Sequence, residues 1–151
     1  MYKKDVKYVD FDGKEVSEEH WFHLTKAEIT EMEYSVGGGL INAIQRLQKE
    51  QDIGKIIDIV KSIVLKSFGE KIVDRQGRER FVKTEAAREI FASTEAYSTI
   101  FMSFLEDPDS FNAFLIGVLP VDMQKDVKEQ LAKENKPALS SGQVAPPKAV
   151  R

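Results

Sequence analysis

The amino-acid sequence predicts a mainly α, α+β fold: an N-terminal β-hairpin, a bundle of about six short helices and a disordered C-terminal tail. Three observations carry this reading. β-branched and aromatic residues flank Asp12-Gly13 near the start, capped apolar stripes recur at helical spacing from Thr25 to Leu119, and three of the five prolines follow Asn135. The implied organisation is a β-hairpin over 1–24 packed on a helical domain over 25–120, with 121–151 weakly helical and then disordered.

The run Asp5-Val6-Lys7-Tyr8-Val9 to Lys14-Glu15-Val16 favours strand, and Asp12-Gly13 tolerates the positive φ angles of a type I′ turn. A two-residue turn there sets Val9 opposite Val16 and Lys7 opposite Glu18, an apolar and a charge pair. The second strand runs on into Trp21-Phe22-His23-Leu24, apolar on both faces. Thr25-Lys26-Ala27-Glu28 matches a capping box, and Ile29, Met32 and Val36 form the stripe of the first helix. Gly37-Gly38-Gly39 ends it, because each glycine costs helix about 1 kcal/mol relative to alanine. Leu40, Ile41, Ile44 and Leu47 mark a second helix. Asp52 caps a third, with Ile53, Ile56, Ile57, Val60, Ile63, Val64 and Phe68 as a broad buried face and Gly69 as its stop. Residues 71–83 read as a loop or at most a minor hairpin, with Ile72-Val73 and Phe81-Val82 as its β-like pieces. Thr84 opens a fourth helix through Phe91, and Ser93 or Thr94 caps a fifth carrying Ala96, Tyr97, Ile100, Phe101, Phe104 and Leu105. Asp107-Pro108-Asp109 breaks that helix, and Asp109 caps a sixth with Phe111, Phe114, Leu115, Val118 and Leu119. Beyond Pro120, Met123, Val127 and Leu131 give a thin stripe as far as Asn135. Residues 137–151 hold too little apolar surface to offset their ordering entropy.

Composition narrows the function classes. Apolar residues at 42% and charged residues at 31% place the chain with globular domains rather than disordered ones. No apolar run approaches the roughly 20 residues of a membrane helix, and Met1-Tyr2-Lys3-Lys4-Asp5 is followed by no apolar stretch, so neither a membrane partner nor a secretory signal is expected. The absence of cysteine excludes disulfides, thiolate metal sites and cysteine nucleophiles. A net charge of −3 gives no global reason to expect nucleic acid.

Each chemical motif has a plainer explanation beside it. His20 and His23, three apart on a strand, face opposite sides and do not readily share a metal; with no Ser-His-Asp order assembling around them, no catalytic, metal or cofactor site is expected. Gly37-Gly38-Gly39 precedes a helix but lacks the Lys-Ser/Thr of a phosphate loop, and position 42 is Asn42, so it reads as a joint. Lys71 to Arg88 holds six basic and three acidic residues, a local +3 suited to phosphates but equally to a solvated connector. Residues 1–35 hold nine acidic and five basic residues, explained by solvated faces. Tyr97, Phe101, Phe104, Phe111 and Phe114 recur at helical spacing; most of this is core, and part is expected to form a groove for a partner's apolar segment.

The order of pieces resembles the tail assembly chaperones of long-tailed bacteriophages and prophages of Gram-positive hosts. The matching stretches are Val6-Lys7-Tyr8-Val9-Asp10-Phe11-Asp12-Gly13, Trp21-Phe22-His23-Leu24-Thr25-Lys26-Ala27-Glu28, Leu65-Lys66-Ser67-Phe68-Gly69-Glu70-Lys71 and the run from Phe81-Val82-Lys83-Thr84-Glu85 through Thr94-Glu95-Ala96-Tyr97 to Leu119-Pro120. The resemblance implies a protein without enzymatic activity that coats the tape-measure protein and helps recruit tail-tube subunits. It implies work in the host bacterial cytoplasm, absence from the finished virion, and in many members a longer frameshifted form. The hairpin is expected to serve as a lid or a self-association edge. Two other functions stand behind this one: a minor virion structural protein of the tail or head–tail junction, and a nucleic-acid-binding regulator using Lys71 to Arg88.

Overall fold

The computed structural model describes residues 1–144, with side-chain surroundings for residues 1–132. Strands β1 (Tyr2–Val9) and β2 (Glu15–Phe22) form the opening hairpin. Its register differs by one residue from the expected one: Tyr8 faces Val16 and Val6 faces Glu18. The cause is Asp10. Its carboxylate accepts the Asp12 and Lys14 amides at 2.9 Å, the Gly13 N–H donates to the Asp10 carbonyl at 2.9 Å, and Gly13 sits at φ +82°. That is the longer loop in which a turn is followed by a left-handed residue, in place of the two-residue I′ turn.

His23 and Leu24 lie past the end of β2, not within it. The His23 N–H donates to the Ser67 carbonyl and the Leu24 N–H to the Val118 carbonyl, both at 2.8 Å, which threads the chain through the centre of the core. Phe22 and Leu24 are buried there with Ile63, Val64, Ile100, Phe114 and Leu115.

Five of the helices begin at side-chain caps. Thr25 and Glu28 complete the capping box of α1 (Lys26–Ser35), and α2 (Leu40–Glu50) buries Leu40, Ile41, Ile44 and Leu47. Asp52 caps α3 (Ile53–Ser67), Thr84 caps α4 (Glu85–Ala92) and Thr94 caps α5 (Glu95–Glu106). Asp107, not Asp109, caps α6 (Pro108–Val118), because Pro108 takes the first helical position, where its missing N–H costs nothing. Ile53 proves exposed at the first turn of α3, so the buried face of that helix begins later. α7 (Val121–Val144) packs Met123 and Val127 on the core and buries Leu131. The stretch read as a tail, residues 137–151, begins within α7 and ends outside the described residues.

The larger correction concerns residues 68–82. α3 passes without a loop into β3 (Phe68–Val73), which pairs with β4 (Glu79–Val82) and also with β2, giving one antiparallel sheet of order β1-β2-β3-β4. The stretch read as a loop or at most a minor hairpin does form a hairpin, and it completes a four-stranded sheet. Its turn repeats the first: Asp74 accepts the Gln76 and Arg78 amides at 2.9 Å, and Gly77 sits at φ +78°. Gly69 is a strand residue opposite Trp21 rather than a helix stop. A Cβ there would lie 2.7 Å from the Phe81 ring and 2.9 Å from the Val82 carbonyl oxygen, so glycine is required for close approach.

Candidate docking surface

Strands β2 and β3 pair only at Trp21–Gly69 and Phe22–Phe68. Beyond that root the two hairpins diverge and leave an open groove of about 720 Å³ against α4. Its floor is the face-to-face stack of Phe68 on Phe91, with centroids 4.1 Å apart, and the His20 ring lies 5.1 Å from Phe91. Glu18, Glu19, Glu70 and Lys71 line the rims. Ile90, 68% exposed, stands at the α4 side with its apolar surface in water. The aromatic floor continues along α5: Phe91 meets Tyr97 edge-on at 5.6 Å, and Tyr97 meets Phe101 at 5.7 Å. Burial raises the Tyr97 hydroxyl above its ordinary pKa.

Of the five aromatic residues expected to include a groove, Tyr97 and Phe101 keep partial exposure beside this floor. Phe104, Phe111 and Phe114 are sealed in the core, with Phe104 and Phe114 4.7 Å apart and Phe114 wholly buried, so they offer no surface to a partner in this structure. Helical periodicity alone does not separate a groove lining from a core, because both present apolar side chains every three or four residues. The sequence reading did not single out Ile90 as surface, while Phe68, read as part of a buried face, is buried beside Phe91. The available signal was the adjacency of Ile90 and Phe91: neighbours on a helix point about 100° apart, so a single buried face leaves one of them outside. Phe11, 93% exposed at the tip of the first hairpin, was marked only by its place in a turn between two aspartates.

The remaining motifs resolve into structural roles. Glu33 accepts the Leu40 N–H at 2.8 Å, so the first amide of α2, which a phosphate would need, is already bound. The basic side chains of 71–88 are largely spent inside the chain. Arg78 and Arg80 bind Asp74 at 3.1 and 3.0 Å, and Arg88 donates to the Leu65 carbonyl at 2.9 Å. Lys71 lies 4.3 Å above the Trp21 ring and 3.7 Å from Glu79. Lys83 binds Glu28 at 2.5 Å where both are largely buried. Burial alone pushes the Glu28 carboxyl up, but bonds from Lys83 and Thr25 outweigh it and hold the group below its ordinary pKa; burial pulls Lys83 down. The His23 ring nitrogen Nδ1 is buried without a partner, and burial lowers the pKa of that ring. Among the described residues no group of three or more His, Asp or Glu side chains is placed to hold a metal ion, and no helix is long and apolar enough to cross a membrane.

Fold and surface together define an α+β protein presenting an open, part-apolar groove between two strand edges. A family model of phage tail assembly chaperones matches residues 1–149, and the chain belongs to that family. No curated protein and no solved structure matches it.

Proposed function

We propose that this chaperone binds the tape-measure protein, keeps it soluble in the host cytoplasm, helps bring tail-tube subunits to it, and is left out of the finished virion. Family membership supports the assembly role. The observation that carries the client reading is the open groove against α4, with exposed Ile90 at its side, part-exposed Tyr97 and Phe101 beyond it on α5, the buried Phe68–Phe91 stack beneath, and charged rims around it. Such a surface suits the apolar stripe of an amphipathic segment, and each large side chain it covers is worth about 1.5–3 kcal/mol. The charged rims keep the unoccupied protein in solution.

The test is co-expression with the tape-measure protein and measurement of the soluble client fraction. Ile90→Asp and Phe101→Asp should retain the circular dichroism of the native chain while soluble client falls severalfold. Undiminished client solubility with both folded variants would overturn the groove as the client site. Finding the chain in purified particles would displace the assembly role in favour of a structural one.

A further inference from the structure

The sheet has a second unspent edge, on the far side from the groove. The Asp10 N–H donates to the Lys14 carbonyl within a pairing whose partners sum to an even register, so even-numbered residues of β1 direct their backbone groups toward β2. The His23 N–H, donating to Ser67 on the β3 side, fixes the same alternation from the other strand. Lys3, Asp5, Lys7 and Val9 therefore present free N–H and C=O groups along the outer edge of β1, and all four side chains are exposed. An eight-residue edge of this kind is a template for strand addition unless its chemistry forbids it.

Here the chemistry selects one occupant. Two copies of β1 can pair antiparallel only with odd residues opposite odd residues. Centring the pairing on Asp5 opposes Asp5 to itself and Lys3 to Lys7, and centring it on Lys7 opposes two lysines. Centring it on Lys4 opposes Lys4 to itself and shortens the ladder. Centring it on Val6 sets Asp5 opposite Lys7 twice, Lys3 opposite Val9 twice and Val6 opposite itself. Asp5 lacks such a partner within the chain: it stands directly across from Glu19, whose carboxylate is bound by Lys3 at 3.1 Å. Neither Asp5 nor Lys7 forms an ion pair among the described residues. Lysines on an edge ordinarily ward off pairing; with Asp5 between them they specify a register.

We infer that the outer edge of β1 is a self-recognition surface, pairing antiparallel about Val6 with a second copy of this chain and joining two four-stranded sheets into one across a two-fold axis. The arrangement is independent of the client groove, which opens on the other side of β2.

Sedimentation of the full chain over a wide concentration range tests it. The wild type should dimerise. Asp5→Lys and Lys7→Asp, each placing like charges twice across the axis, should each weaken dimerisation by about tenfold or more, with circular dichroism unchanged. An equimolar mixture of the two variants should recover the dimer, because each then supplies the complement the other lacks. A wild type monomeric at every concentration, a dimer indifferent to both reversals, or a mixture that stays dissociated would overturn the inference. Client solubilisation measured on the same variants separates this failure from that of the groove.

Discussion

Gly69→Ala tests the geometry that roots both hairpins. The added Cβ would meet two Phe81 ring atoms at 2.7 Å and the Val82 carbonyl oxygen at 2.9 Å, where ordinary contact begins at 3.4 Å. The ring is partly exposed and can swing away. The carbonyl cannot, because Val82 is paired with Glu70 in the β3–β4 ladder. Overpacking of this size costs about 1–3 kcal/mol, and the reduced freedom of the unfolded chain returns about 0.4–1 kcal/mol. The net loss of about 1–2 kcal/mol lowers the melting temperature of a chain this long by roughly 2–8 °C. Thermal and urea unfolding of Gly69→Ala, Phe81→Ala and the double variant measure it. Part of the loss should disappear when Phe81 is already alanine. If Gly69 instead acted as a helix stop, the two substitutions would simply add. Additivity, or a Gly69→Ala melt within about a degree of wild type, refutes the close-approach argument.

Two further outcomes follow from contacts elsewhere. Gly117→Ala would place a Cβ 2.5 Å from the Tyr2 ring, which rests on α6 and meets Phe114 edge-on at 5.1 Å; calorimetry should show a loss of about 1–2 kcal/mol, largely removed in a Tyr2→Ala background because the nearest obstructing atoms belong to the Tyr2 ring. Glu28→Gln should cost about 1–3 kcal/mol at neutral pH, where it leaves Lys83 without its charged partner. The folded carboxyl lies below its ordinary 4.5, so its contribution is fully present above that value and is lost as pH falls through the lowered one. The gap between wild type and Glu28→Gln in urea unfolding should therefore narrow below about pH 4.5, and a gap constant from pH 7 to pH 3 would refute the assignment.

What was legible in the sequence was local. The caps Thr25, Asp52, Thr84 and Thr94 act within three residues of themselves, and each helix starts where its cap predicts. The two-residue turn that Asp12-Gly13 favours does not form, because the controlling residue is Asp10, four before Lys14. The same Asp-x-x-Gly-Lys/Arg spacing recurs at Asp74 to Arg78, and the recurrence was a readable sign of the second hairpin. What was not legible depended on distant partners. Ile72-Val73 and Phe81-Val82 pair locally between β3 and β4, but their joining to the first hairpin runs through Trp21–Gly69, a pairing 48 residues apart in sequence (69 minus 21) that no local pattern encodes. Gly69 follows a helix, where glycine is ordinarily a cap; only the arrival of Phe81 shows that its role is to be small. Phe114 looked equivalent to Phe101 by spacing, yet a charge at Phe114 would report on folding rather than docking, since its ring meets Tyr2, Phe22 and Phe104.

The groove itself follows from how the hairpins are anchored. Continuing the β2–β3 register would set Glu19 opposite Lys71 and Ser17 opposite Val73, pairs with no electrostatic objection, so charge does not keep the strands apart. Each hairpin is instead held by a different helix. β1 packs beneath α5 and α6, with Tyr2 seated on Gly117 and Lys4 5.8 Å from the Phe104 ring. β3 is held by α4 through the Phe68–Phe91 stack. α4 and α5 diverge at Ser93-Thr94, where one helix ends and the next is capped. The strands they carry share a root only where Phe22 and Phe68 meet, at 6.0 Å. The aromatic floor is thus the seam between two helix–hairpin units. Phe68 and Phe91 are apolar and buried because they join the units, and the groove above them is open because the strands part.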